Sequence, residues 1–201
     1  MDFATYKTRV KAAVNELSPI EKLAICLVCC DRLSPLYESF SDHHKWGDIA
    51  SFADSRAQAT EILGGTVSTL KVTTKTLERN IPNTEDFGSV LGSFALNSGC
   101  AHLALIRQAD SNDPKPVIDA LLMCYETIHF CVQEDMDPTS SRSIPLPDVD
   151  GHEMMKRETA FQLDSLASVR DCPDLVEFVS NPDDQGLAKY MLNIARNSIA
   201  R

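Results

Sequence analysis

Ser18-Pro19-Ile20-Glu21-Lys22-Leu23-Ala24-Ile25-Cys26-Leu27-Val28-Cys29-Cys30-Asp31-Arg32-Leu33 is the stretch whose reading decides the fold class. Its first four residues form a capping box. The Ser18 hydroxyl can accept a first-turn backbone N–H, Glu21 can reach back to the cap, and Pro19 stands where a missing N–H costs nothing. Ile20, Leu23, Cys26, Leu27, Cys30 and Leu33 then recur at helical spacing with Ile25 and Val28 beside them, which predicts a buried helix through Leu33.

Outward from it the same punctuation recurs. Ser34-Pro35 predicts a restart into a short helix carrying Leu36, Tyr37 and Phe40, followed by a polar connection from Ser41 to Lys45. A helix is expected from about Asp48 to a break at Gly64-Gly65, and another from about Thr66 to Asn80, where the Thr and Val content lowers helicity and keeps a strand pair as the alternative. Thr84-Glu85-Asp86 opens a long helix with Phe87, Val90, Leu91, Phe94, Ser98, Ala101 and Leu105 as its inner stripe. The segment from about Pro114 to Glu134 is apolar almost all round, which places it at the centre of the domain. Residues 136–151, with Pro138, Pro145 and Pro147, read as a surface loop. Helices from about His152 to Arg170 and Pro173 to Val179 follow, and a last one is marked by Asn181, Pro182, Asp183 and Asp184. The expectation is an all-α fold: one domain over residues 1–201, a bundle of about eight helices.

Bulk properties bound the function. A chain of 201 residues with 43% hydrophobic content can build a core without disulfides or metals. Its 19 basic and 29 acidic residues leave a net charge of −10, which neither nucleic acid nor an anionic membrane favours; it suits solubility first, and also a basic protein partner. The longest apolar run, Leu23 to Cys30, falls far short of the roughly twenty residues that span a bilayer. Met1 to Lys7 shows no apolar stretch behind a basic start, so no secretory signal is expected. Seven cysteines, an odd number set mostly in apolar helical patterns, indicate reduced thiols and a cytoplasmic location.

Asp31-Arg32-Leu33-Ser34-Pro35-Leu36-Tyr37-Glu38-Ser39-Phe40 resembles the R-x-x-P-x-Y-x-x-F signature of the YjaG-like proteins, a bacterial family of helical proteins of uncharacterised role. Ile81-Pro82-Asn83-Thr84-Glu85-Asp86-Phe87 is similar to that family's entry into a long helix, and helix order and length agree over nearly the whole chain. The resemblance implies an all-helical fold and a bacterial cytoplasmic setting, and it carries over no catalytic residue. The Pro-rich stretch from Met136 to Gly151 departs from the family's usual pattern.

Four constellations invite a chemical reading. Asp119, Glu126 and His129 lie opposite the Val117, Leu121, Cys124, Ile128, Cys131 stripe, and Glu126 and His129 have the E-x-x-H spacing of a divalent metal site; a di-metal bundle needs a second such motif, which the chain lacks, so a polar edge or a satisfied buried pair is the plainer account. Cys26, Cys29 and Cys30 could join Cys124 and Cys131 in redox or zinc chemistry, but mid-helix thiols among Leu and Ile are disfavoured nucleophiles and read better as small core residues. His43 and His44 near Asp42 and Asp48, and His152 near Asp148 and Asp150, read as surface residues, and Trp46 beside them as an interaction anchor or a cap on the core. Glu134, Asp135 and Asp137 offer an acidic face to a basic partner. No phosphate loop or nucleophile elbow is present.

The balance favours a non-enzymatic protein-binding or regulatory module, for which an immunity-like protein that neutralises a toxin fits. No cofactor is expected, and a homodimer is left open. The rivals are a metal-dependent enzyme using Asp119, Glu126 and His129, and a small-molecule binder with a pocket between helices.

Overall fold

The computed structural model describes residues 1–87, 89–137, 146–180 and 185–199. Among them are eleven helices and no strand: α1 (Phe3–Asn15), α2 (Pro19–His44), α3 (Ile49–Leu63), α4 (Thr74–Glu78), α5 (Thr84–Phe87), α6 (Val90–Ala109), α7 (Lys115–Met136), α8 (Leu146–Asp150), α9 (Glu153–Asp171), α10 (Leu175–Ser180) and α11 (Gln185–Ile199). The all-α expectation holds; the count of about eight does not.

The Ser18 capping box forms as read, with the Glu21 carboxylate accepting the Ser18 N–H at 2.7 Å. The helix it starts does not stop at Leu33. It continues through Pro35 to His44, ending at Lys45 in the left-handed region. A proline inside a helix removes one backbone donor and crowds the carbonyl four residues back. Here Leu33, Leu36, Tyr37 and Phe40 are all buried on either side of Pro35, so tertiary packing holds together what the local rule would break. Ile20 points outward instead of inward, 37% exposed.

That length makes α2 the centre of the molecule. It lies against α3, α6, α7, α9, α10 and α11, and from Leu23 to Cys30 every side chain is buried. At about 1.5–3 kcal/mol for each fully buried Leu or Ile, this run is a large local source of stability. The expected central helix, α7, is one of its neighbours: Val117, Leu121, Cys124, Ile128 and Cys131 face inward while Glu126 stays exposed.

Three further expectations are corrected. Between Thr66 and Asn80 only α4 is helical, because the β-branched run after Gly64-Gly65 has few inward side chains until Leu77. The long helix expected from Thr84 divides into α5 and α6, with the Ser89 hydroxyl capping the second at Gly92 N. Within the expected loop at 136–151, Met136 ends α7 and Leu146–Asp150 is helical; residues 138–145 lie outside the described ones, as do Asn181, Pro182, Asp183 and Asp184. Helix α1, which the reading omitted, is capped by Asp2 and buries Tyr6, Val10 and Val14 at intervals of four. No helix among the described residues is long and apolar enough to cross a membrane.

Candidate functional site

Helices α1, α2, α7 and α9 meet around a polar centre sealed from water. Arg32 of α2 reaches Glu158 of α9 with both guanidinium ends: Nη1 donates to Oε1 at 3.1 Å and Nη2 pairs with Oε2. Gln162, one turn on, donates its amide to Glu158 and to the Leu121 carbonyl of α7 at 3.0 Å, while its own oxygen accepts the Tyr6 hydroxyl of α1. The Arg32 guanidinium also lies 4.4 Å from the centre of the Phe161 ring. Burial is the largest influence on Arg32 and opposes its charge, but the Glu158 carboxylate, its hydrogen bond and the nearby Cys124 and Cys29 together overcome it and keep the guanidinium protonated; burial, then Glu158, push the Tyr6 phenol upward.

A fork-to-fork Arg–carboxylate pair is strong once formed, and its desolvation cost makes it a device for fixing register more than for net stability. Arg32 is 4% exposed and Glu158 fully buried. Each oxygen of Glu158 is committed to a donor, so the centre ties four helices together and offers no group to a substrate.

The nearest approach to a nucleophile and base is equally enclosed. Ser34 Oγ on α2 stands 3.4 Å from His102 Nε2 on α6, and His102 Nδ1 faces the Ser98 carbonyl at 2.8 Å, which fixes the ring proton on Nδ1. The Ser34 hydroxyl donates to the Cys30 carbonyl at 2.7 Å, in its own helix, and so is not presented for attack. With no water to solvate an imidazolium, burial depresses His102 to about 4 against the one favourable backbone contact, with Arg56 pushing the same way as burial.

The sequence candidates are dispersed. Asp119 is held by Lys115 at 2.5 Å one helical turn away. Glu126 is exposed, and the His129 ring stacks on Tyr125 with centroids 6.2 Å apart. Burial lowers His129, opposed by Asp150, whose carboxylate accepts the Tyr125 hydroxyl at 2.9 Å. Among the described residues no three His, Cys, Asp or Glu side chains gather closely enough to hold a metal ion. All seven cysteines are free; Cys26, Cys29, Cys30, Cys124 and Cys131 are buried, and Cys124 Sγ faces the Cys29 carbonyl at 3.8 Å. Burial raises the thiols of Cys26 and Cys131, and those of Cys30 and Cys124 also lie high, the last chiefly through its contact with Cys29.

Trp46 is half-buried against Phe40 and Phe87, with centroids 5.9 and 5.2 Å away, and so caps the core. His152 caps α9 through Nδ1, and Asp48 caps α3. At the carboxyl end of α7 Asp135 is exposed and accepts the Tyr190 hydroxyl at 3.2 Å, with Glu134, Met136 and Asp137 beside it; Met136 is 43% exposed.

The two sequence signatures come together in space. The Tyr37 hydroxyl donates to the Asn80 carbonyl at 2.5 Å, Phe40 meets Phe87 edge-on at 4.9 Å, and Ile81 fills the space above Gly99. The polar centre was missed because Arg32 and Glu158 stand 126 positions apart. Its one local signal was Glu158 and Gln162 at i and i+4 on a single helix face.

Fold and site thus define an all-helical protein built on a long central helix, with its ionic centre enclosed. The chain belongs to the family described as protein of unknown function (DUF416), whose model matches residues 9–181. A crystal structure of a DUF416 family protein from Shewanella baltica OS155 shares the fold, with a TM-score of 0.68 and 20% identity over 90% of this chain and 92% of that one. No curated protein matches the chain significantly.

Proposed function

We propose that the protein is a non-enzymatic binding or regulatory module of the bacterial cytoplasm, akin to the YjaG-like proteins its motifs resemble, that engages a basic protein partner. The observation that carries this reading is the burial of its strongest polar chemistry. Arg32, Glu158 and Gln162 are buried and already bonded to other parts of the chain, which suits a packing centre better than a site that must admit substrate.

Recognition then falls to the surface, where the net charge of −10 supplies a long-range field that attracts a basic partner. The carboxyl end of α7 concentrates that field: Asp135 is exposed at the negative end of the helix dipole, with Glu134 and Asp137 adjacent. An immunity-like role, in which the chain masks a basic toxin, is the form of this reading that its size and charge suit.

The test is affinity capture from the native host with wild-type and Asp135→Lys baits, followed by titration of the purified pair at rising salt. A basic partner that binds wild type in a salt-sensitive manner and loses affinity for the variant supports the reading. A partner retained equally by both baits, or none, removes it.

A further inference from the structure

Helix α3 buries only one large apolar side chain. Its inward side chains are Ser51, Phe52, Ser55 and Ala59, whereas α6 buries Leu91, Phe94, Leu103, Leu105 and Ile106. The two serines spend hydrogen bonds locally, Ser51 on the Asp48 cap and Ser55 on the Phe52 carbonyl, so neither ties α3 to the rest of the chain.

The amino-terminal half is attached by one ring, one cation and the Asp48 backbone N–H, which meets the Tyr37 hydroxyl. Phe52 lies between Tyr37 at 4.2 Å and the edge of His102 at 4.9 Å. Arg56 reaches Asp31 at 3.6 Å and Glu38 at 3.8 Å, both on α2; Asp31 is half-buried and Glu38 exposed, and separations this long make both pairs loose. The carboxyl-terminal end holds better, with Ile62 and Leu63 partly buried against the core.

What α3 covers is polar. Beneath Phe52 lie His102 and Ser34, and Ser98, one turn before His102, has a fully buried hydroxyl with no hydrogen-bond partner among the described residues. Both connections to α3 turn sharply: Lys45 and Gly47 have φ of 50° and 89° on one side, and Gly65, with open space around it, has 71° on the other.

We propose that α3 is a lid, whose amino-terminal half lifts from α2 and α6, pivoting near Gly64–Gly65, while the α2–α6–α7 core stays folded. Lifting opens the Ser34–His102–Ser98 seam to water and withdraws only one large apolar side chain, Phe52, from the core. Few large apolar side chains and a polar underside are the marks of a segment that opens below the global unfolding free energy.

Hydrogen exchange read by mass spectrometry on the full chain at neutral pH tests this. The amides of residues 49–56 exchange through an opening that leaves α2 and α6 protected. Phe52→Ala accelerates that exchange on the order of a hundredfold, and Arg56→Gln about threefold, with α2 and α6 unchanged in the second variant. Exchange of 49–56 only in step with α2 and α6 in the wild type overturns the proposal. Should Phe52→Ala fail to fold, Arg56→Gln decides: acceleration confined to 49–56 supports the lid, and an unchanged or chain-wide response overturns it.

Discussion

Arg32 and Glu158, 126 positions apart in the chain, close on each other as a two-pronged ion pair with both side chains shut off from water. Helix α2 supplies the cation and α9 the anion, and Gln162 extends the pair to α7 and α1. Removing one partner strands a charge that water cannot reach. Glu158→Leu therefore destabilises the fold by about 3–5 kcal/mol, whereas the joint change Arg32→Met with Glu158→Leu recovers most of that loss. Denaturant unfolding of the three proteins checks it; a double variant as unstable as the single one contradicts it.

Acid acts through His102. Its folded value, about 4, lies below the ordinary 6.5, so between those limits the unfolded chain binds a proton that the folded chain refuses. Stability from this group is complete above the unfolded value and declines as pH falls from 6.5 toward 4, by about 3 kcal/mol in total. His102→Gln, whose amide can still donate to the Ser98 carbonyl, flattens the slope of unfolding free energy between pH 7 and pH 5 relative to wild type. An identical slope in both proteins shows that other groups carry the acid response.

Gly99 and Ile81 fix the fit of the 81–87 segment to α6. A Cβ built on Gly99 falls 2.6 Å from Ile81 Cγ1, closer than packed atoms allow. Gly99→Ala costs about 1–3 kcal/mol by overpacking. Adding Ile81→Ala removes the clash, so the double variant loses less than the two single losses combined. Thermal unfolding gives the coupling, and additive losses contradict it.

Thiol chemistry reports on packing. Cys100 and Cys172 are partly exposed and the other five cysteines buried. A thiol reagent at mildly alkaline pH modifies at most these two in the native protein, and Cys100→Ser with Cys172→Ser abolishes the fast phase. Rapid modification of Cys26 or Cys30 contradicts the burial of the α2 core.

Local signals in the sequence were read well where backbone chemistry is local. The Ser18–Glu21 box, the helix start near Asp48 and the stripe of Leu91, Phe94, Ser98, Ala101 and Leu105 are visible as residue types at fixed spacing, and they stand where the spacing puts them. Pro35 misled because the cost of a proline in a helix is local while the gain from burying Leu36, Tyr37 and Phe40 is tertiary. The centre of the bundle was misplaced for the same reason. An apolar-all-round α7 resembles a core helix, and α2 gained its central place from length that Pro35 concealed. The ionic centre was illegible for a different reason, since no local pattern in α2 names its partner in α9. Trp46 carried both readings in the sequence, and its contacts with Phe40 and Phe87 make it a cap on the core.

The most direct test of the functional account is the salt dependence of binding between the purified chain and the partner captured from its host, measured by calorimetry with wild type and Asp135→Lys. The account predicts a basic partner whose affinity falls steeply as salt rises and drops at least about tenfold in the variant, as removing a contact of 1.4 kcal/mol would produce. Affinity that is indifferent to salt and equal in both proteins contradicts it.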